Sequence, residues 1–301
     1  MLYAMSKVKD KIFSARSVFD GFGYFYLTLI GLLCLIPFLL VLAGSFTANQ
    51  VIIQYGYSII PRELSLDAYK AIFLFPEKII SAYEVSILVT TTGTVVGVFF
   101  MSMAGYALQR KELKYANKIS FFIYFTTLFN CGLIPWYLLI VGLGMKDTLL
   151  ALIVPSLESA FSILLIRNFM RSVPESIIES AKIDGAGDFF IFRRIVIPLS
   201  TPVIATVGLF LALQYWNDWY STSLFVPTSS KWPLQYLLYK TISAQFVALS
   251  AAAASYFRKG TMPTESVKLA TAVVTTGPII LLYPFLQKYF VRGITIGAVK
   301  G

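Results

Sequence analysis

Long apolar segments separated by short polar ones dominate the chain. A helix needs about 20 mostly apolar residues to cross the hydrocarbon core of a bilayer. Six segments meet this length: 24–46, 85–108, 119–143, 149–170, 202–226 and 267–290. A soluble all-α protein would carry charged stripes on most of its helices, and these segments have none. The pattern predicts an all-α integral membrane protein with six transmembrane helices.

Charge placement then predicts the topology. The chain has a net charge of +10, which in a soluble protein would suggest a nucleic-acid partner. However, 16 of the 25 Lys and Arg residues fall in the N-terminal segment, the second and fourth loops and the C-terminal segment. Because short cytoplasmic segments are enriched in Lys and Arg, both termini and these loops are predicted to be cytoplasmic in a multi-pass membrane protein. No nucleic-acid partner is expected.

Residues 1–20 are amphipathic, and we interpret them as a cytoplasmic segment that precedes a membrane domain at 21–301. Cys34 and Cys131 both lie in apolar segments, and the chain contains no histidine. A metal site or a catalytic centre of the common kinds is therefore not expected. The sequence also lacks a Gly-x-x-x-x-Gly-Lys-Ser/Thr phosphate loop, so ATP hydrolysis by that route is excluded for this chain.

Small residues at intervals of four mark the second segment. They are Thr90–Thr92, Gly93, Gly97 and Gly105. Small side chains let helices approach closely in lipid. We interpret this stripe as a helix-packing face in preference to a pore lining.

The fourth loop has the strongest local signals. Ser172 and Glu175 have the spacing of a capping box, with Pro174 in the first turn of the helix that it would start. Gly185 and Gly187 are expected to end that helix, since glycine tolerates the left-handed conformation found at helix ends. One apolar face is predicted from helical spacing and comprises Ile177, Ile178 and Ala181.

A second short apolar helix follows, and Pro198 is predicted to mark the turn into the fifth span. The loop is thus a helix–turn–helix at the cytoplasmic face. Its apolar face suits burial in a groove of a soluble partner, and its acidic residues offer charge partners: Glu175, Glu179, Asp184 and Asp188.

This loop resembles the signature loop of ABC-importer permeases, Glu-Ala-Ala-x3-Gly-x9-Ile-x-Leu-Pro. The matching positions are Glu179-Ser180-Ala181, Gly185, Ile195, Ile197 and Pro198, with Ser in place of the first Ala and Ile in place of Leu. The resemblance implies a type I importer fold and assigns the loop, at about 172–197, as the coupling helix seated in an ATPase subunit. The residues implied in coupling are Glu179, Ser180, Ala181, Asp184, Gly185, Ile195 and Pro198. An ordinary interfacial amphipathic helix is the alternative.

Three further segments resemble the carbohydrate-uptake branch of that family: Trp216-Asn-Asp-Trp219, Met262-Pro-Thr-Glu-Ser266 and Gly297-Ala-Val-Lys-Gly301. Within the branch, the chain resembles permeases for oligosaccharide fragments of plant polysaccharides that contain uronate or rhamnose. The resemblance implies four kinds of partner: a second homologous permease, two ATPase subunits, an extracytoplasmic sugar-binding protein and the lipid bilayer. This chain then needs no cofactor, and ATP and Mg²⁺ are expected on the ATPase.

Polar residues within the predicted spans are candidates for a sugar pathway, because polar and charged groups in hydrocarbon are costly and tend to face a pore or a partner. Amide and carboxylate groups suit sugar hydroxyls, and indole rings suit sugar stacking. The candidates are Asn130, Glu158, Trp216, Asn217, Asp218 and Trp219. The alternatives are interhelical hydrogen bonds or helix-end positions, and for Asn130 we favour packing.

Two other classes of function compete with an importer permease. A secondary transporter or channel that acts without an ATPase should show inverted repeats with broken helices in both halves, and we find no such symmetry in the sequence. An intramembrane enzyme should show paired catalytic groups, which the scattered carboxylates do not provide.

Overall fold

The computed structural model describes residues 2–74, 76–129, 131–243 and 265–280. Within this part of the chain the regular structure is helical, apart from a single isolated β-bridge between Thr47 and Leu64. The helices are α1 (Leu2–Ser45), α2 (Asn49–Tyr55), α3 (Asp67–Ile72), α4 (Pro76–Gln109), α5 (Ala116–Thr126), α6 (Leu133–Gly142), α7 (Leu150–Ile153), α8 (Ala160–Met170), α9 (Glu175–Ile183), α10 (Asp188–Ile191), α11 (Ile197–Leu199), α12 (Thr201–Trp216), α13 (Tyr220–Phe225), α14 (Leu234–Ile242) and α15 (265–280).

The described residues form two compact units. The first contains residues 2–74 and 265–274, and the second contains 76–243 and 275–280. In the first unit, the Asn49 side-chain oxygen accepts hydrogen bonds from the backbone N–H groups of Glu265 (2.9 Å) and Ser266 (3.3 Å). Because the first N–H groups of a helix have no intrahelical partner, Asn49 supplies acceptors for the first turn of α15.

Two helices are long and apolar enough to cross a membrane, namely α4 and the Phe19–Ser45 part of α1. The number rises to four if each of two bent pairs is one span: α7 with its following turn and α8, bent by 47°, and Asp188–Leu199 with α12, bent by 84°. These counts concern only the described residues, so the six spans expected from the sequence stay a prediction, as does the amphipathic segment at 1–20.

The third predicted span is not one continuous helix. It is divided into α5 and α6, which are 11 and 10 residues long. Gly132 lies between them with φ +82°, a left-handed conformation that glycine adopts readily and that cannot continue a helix. Both α5 and α6 are apolar, so the apolar pattern runs across the break and does not reveal it.

In the second unit, α4 is the central helix, and the glycine stripe forms its packing face as predicted. At Gly93 a Cβ atom would overlap the ring of Tyr215 in α12. At Gly97 it would lie 2.6 Å from Leu211 Cδ2 and 3.0 Å from the Leu157 carbonyl oxygen. These helices touch at distances that only glycine permits, so the close packing of α4 depends on the stripe.

Arg167 holds one end of the same group of helices together. It lies within α8, and its side chain is buried. Its Nε donates to the Leu108 carbonyl oxygen (3.0 Å) and its Nη2 donates to Asn117 Oδ1 (2.7 Å). The carbonyls at a helix C-terminus lack intrahelical partners, so Arg167 satisfies one at the end of α4 and links α4, α5 and α8.

Replacement of Gly97 tests the packing of α4. We expect Gly97→Val to lower the free energy of unfolding by about 1–3 kcal/mol, the usual cost of overpacking, measured by thermal unfolding of the purified chain in detergent. Gly31→Val is the matched control, because Gly31 also lies inside an apolar helix but has no atom within 4 Å of a Cβ position. Equal losses in the two variants would contradict this account of the stripe.

Candidate coupling loop and transport pathway

Helix α9 ends in a Schellman turn built on Gly185. The Gly185 N–H donates to the Lys182 carbonyl oxygen (3.0 Å), and the Ala186 N–H donates to that of Ala181 (2.9 Å). Gly185 has φ +81°, and a Cβ atom there would meet nothing within 4 Å. Glycine is therefore required here by the positive φ and not by a lack of room for a side chain. The sequence predicted this role for Gly185.

Two other predictions for this helix are wrong. The capping box is not formed: Ser172 donates its hydroxyl to the Phe169 carbonyl oxygen (2.7 Å), and Glu175 pairs with Lys111. Helix α9 begins at Glu175 with Pro174 at its N-cap, so Ser172 stands two residues before the position that a capping-box serine occupies. Gly187 does not end α9 either. It has φ −71° in an extended conformation immediately before α10, so Gly185 ends α9 by itself.

The predicted apolar face of α9 is partly buried in this chain and partly exposed. Ile178 is buried and Ala181 packs against the core of this chain, whereas Ile177 is 40% exposed. The outer surface of the loop carries large exposed apolar side chains at Ile183 (86%), Phe189 (57%) and Phe190 (55%). Beside them, the predicted coupling residues Glu179, Ser180, Asp184 and Gly185 are also exposed.

The second half of the loop connects it to the membrane domain. A π-helical turn, Phe192–Val196, follows α10, and the Phe192 ring lies 5.4 Å from the Tyr106 ring of α4, between centroids. Ile195 is half-buried against the same core. Pro198 lies in α11, just before the 84° bend into α12. The turn that the sequence predicted at Pro198 is therefore confirmed.

Charged side chains that follow α4 contact the loop directly. Glu112 Oε1 accepts hydrogen bonds from Arg110 Nη2 and Lys182 Nζ, each at 2.7 Å. The hydrogen bond from Lys182 is the main cause that lowers the pKa of Glu112. Because the carboxylate is the bonded form, the pair persists below the usual pKa of a glutamate and is lost only when the pH falls through the lowered value.

The fifth predicted span breaks at Asn217 and Asp218. Helix α12 ends at Trp216, and α13 begins at Tyr220. The Asn217 amide donates to the Leu213 carbonyl oxygen (2.9 Å), and Asp218 Oδ1 accepts from the Ser221 N–H (3.0 Å). Both side chains occupy helix-end positions, which was one of the alternatives, while Asn217 also remains exposed.

The two tryptophans of this segment differ in accessibility. Trp216 is buried, and its Nε1 donates to the Thr275 carbonyl oxygen at 3.3 Å. Trp219 is half-buried and stacks on Tyr239, with ring centroids 4.2 Å apart and an interplanar angle of 17°. Trp216 therefore serves packing in this structure, and one face of Trp219 is already covered.

The fourth predicted span breaks at 157–159, where the exposed Glu158 lies between α7 with its short 3₁₀ turn (Val154–Ser156) and α8. The sequence pattern did not indicate two residues at this break, Ser156 and Gln214. Gln214 Nε2 donates to Ser156 Oγ at 3.3 Å, so the end of α12 contacts the break in the fourth span. Exposed Gln214 and Asn217 are three residues apart and share one helix face. Asn130 lies outside the described residues.

A clamp joins the loop before α7 to the loop after α13. Asp147 has φ +57°, the one positive φ of a non-glycine residue in the described part of the chain. Its carboxylate accepts from the Thr228 hydroxyl (2.7 Å) and backbone N–H (3.3 Å) and pairs with Lys231. The Thr228 hydroxyl is the largest cause that lowers the pKa of Asp147.

Comparison with known proteins identifies the family of this chain. Residues 12–296 match the family described as "Binding-protein-dependent transport system inner membrane component". The polygalacturonan/rhamnogalacturonan transport system permease protein of Bacillus subtilis strain 168 is 40% identical over 288 residues, 94% of this chain and 99% of that protein. An arabinooligosaccharides transport system permease protein of the same organism is 27% identical and covers 92% of this chain and 94% of its own length.

Among solved structures, a bacterial ABC transporter involved in the import of the acidic polysaccharide alginate contains a similar chain. The TM-score is 0.80 at 30% identity, with 89% of this chain and 96% of that chain covered. The fold is therefore that of an ABC-importer permease. The chain belongs to the family of binding-protein-dependent transport system inner membrane components, so it is a transport subunit.

Proposed function

We propose that this chain forms half of the pathway by which an ATP-driven importer carries an oligosaccharide across a bacterial plasma membrane. An extracytoplasmic binding protein delivers the sugar, and a second homologous permease completes the pathway. Two ATPase subunits bind ATP and Mg²⁺ and engage loop 172–198. The proposal includes six spans, a cytoplasmic amphipathic segment at 1–20 and both termini in the cytoplasm.

The exposed outer surface of the coupling loop carries this proposal. Ile183, Phe189 and Phe190 would leave large apolar areas in water if the chain acted alone, and contiguous exposed apolar surface marks an interaction site. Glu179 and Asp184 lie on the same loop and supply charge partners. The inner side of the loop packs on α4, so force on the outer surface reaches the membrane domain.

Two kinds of support point to the substrate. The relatives are named for polygalacturonan/rhamnogalacturonan and arabinooligosaccharides, and the similar structure imports alginate. The breaks in the fourth and fifth spans place exposed Glu158, Gln214 and Asn217 at helix ends. Because lipid cannot satisfy such groups, we assign them to the sugar pathway, with Trp219 at the outer end of the same segment.

Gly185 tests the coupling role of the loop. A β-branched residue strongly resists φ near +81°, so Gly185→Val should misplace α10 and abolish transport while the spans still insert. In proteoliposomes that contain the complete importer, ATP hydrolysis should stop responding to the sugar-loaded binding protein. The affinity of the binding protein for sugar should not change.

Gly187→Val is the matched control, because Gly187 is two residues away with an ordinary φ of −71° and open space at its Cβ position. This variant should keep most of the transport and of the stimulated hydrolysis. If Gly185→Val also keeps both near the wild-type level, the loop is not the coupling element, and the roles assigned to Glu179, Gly185 and Pro198 fall with it.

The pathway assignment predicts a different defect. Gln214→Leu and Asn217→Leu should each lower the rate of sugar transport about tenfold or more, since loss of a polar group that a substrate needs costs about 1–3 kcal/mol. Hydrolysis without sugar should stay near wild type, because the coupling loop is intact. Phe210→Leu, an exposed apolar position on α12, is the control. Unchanged transport in both polar variants would remove these residues from the pathway.

A further inference from the structure

Helix α9 has too few buried side chains to fix its own orientation. Of its nine residues, Ile178 is the one that is fully buried. Ile178 and the partly buried Ala181 contact the core from one side of the helix, and contacts on one side do not prevent a short helix from rotating about them. If the loop transmits force between an ATPase and the spans, rotation of α9 would absorb that force, so further contacts must hold the helix.

Residues 110–112 supply contacts at three places along the loop. Lys111 pairs with Glu175 at the start of α9, and Glu112 accepts from Lys182 near its end. Arg110 Nη2 lies 3.6 Å from Asp188 Oδ1 at the start of α10. Contacts at both ends of α9 and at the next helix oppose this rotation.

Arg110 anchors this cluster to the membrane domain. Its side chain is only 13% exposed, and its guanidinium carbon lies 5.7 Å from the centroid of the Tyr106 ring. Residues 110–112 follow directly on α4, which ends at Gln109. A displacement of α9 is therefore transferred to the helix whose glycine face packs against α12 and the break at 157–159.

We propose that residues 110–112 form an ionic latch with α9 and α10, and that Glu112 is the positioning residue that keeps the coupling loop in one orientation relative to α4. The inference rests on the proposed function of loop 172–198. It gives Arg110 and Lys111 a role beyond the topology signal that the sequence showed. Exposed ion pairs add little stability, so the latch acts on coupling and not on insertion.

A double-mutant cycle in the reconstituted importer tests the latch. The measured quantity is the ratio of sugar transported to ATP hydrolysed in the presence of sugar-loaded binding protein. Glu112→Gln and Lys182→Gln should each lower this ratio by roughly three- to tenfold. The amount of each variant inserted in the membrane should equal that of the wild type. The double variant should be no worse than the more severe single variant, because both remove one shared contact.

Two controls separate the latch from charge loss in general. Asp67→Asn removes an exposed ion pair with Lys70 (3.1 Å) elsewhere in the chain, and the ratio should stay at the wild-type level. Glu112→Asp keeps the negative charge, and it should retain a larger share of the ratio than Glu112→Gln does. If the ratio falls equally in Glu112→Asp and Glu112→Gln, its loss does not depend on the negative charge. That result would overturn the proposal.

Other outcomes also decide the matter. A wild-type ratio in Glu112→Gln, together with loss in Gly185→Val, would overturn the latch while the coupling role of the loop stands. Losses that multiply in the double variant would show that Glu112 and Lys182 act separately, which also contradicts the latch. A wild-type ratio in Gly185→Val would instead overturn the coupling role of the loop itself.

Discussion

The hydrocarbon core of a membrane gives backbone N–H and C=O groups no hydrogen-bond partner, and this constraint governs the whole chain. It requires helices wherever the chain crosses lipid, and it allows a break only where protein or water satisfies the freed groups. The breaks at 157–159 and 217–219 meet this requirement with polar side chains. Ser159 accepts from the backbone at the start of α8, Asp218 accepts from the backbone at the start of α13, and Asn217 donates to the end of α12. Candidate pathway residues lie at the broken helices because the backbone groups freed at a break need polar side chains beside them.

Helix α4 contacts both broken spans and loop 172–198, and so connects them mechanically. Its glycine face lies against α12 and the break in the fourth span, Arg167 holds its C-terminal end, and Tyr106 packs against Phe192 of loop 172–198. A movement of the loop therefore reaches the two breaks through a single continuous helix. Close packing matters here because packed helices shift as rigid bodies and transmit small displacements.

The sequence predicted features that depend on the local backbone. Gly185 ends α9 because glycine permits a positive φ, and Pro198 precedes the bend because proline fixes φ and lacks an N–H. The capping box failed because α9 begins at Glu175, two residues later than the box requires. The contrast between buried Ile178 and exposed Ile177 was not predictable, since helical spacing places both near one face and only the packed core distinguishes them. Gln214 was missed because its partner, Ser156, is distant in sequence and no local pattern joins them.

The central claim is that the outer surface of loop 172–198 contacts the ATPase, and site-directed photocrosslinking tests it most directly. A photoreactive amino acid placed at Ile183, the most exposed large apolar side chain of the loop, should crosslink the ATPase subunit in membranes that contain the complete importer. The same group at Tyr57, an exposed position in the first unit, should give no such product. Absence of the ATPase crosslink from Ile183, with full transport retained by the labelled protein, would contradict the account.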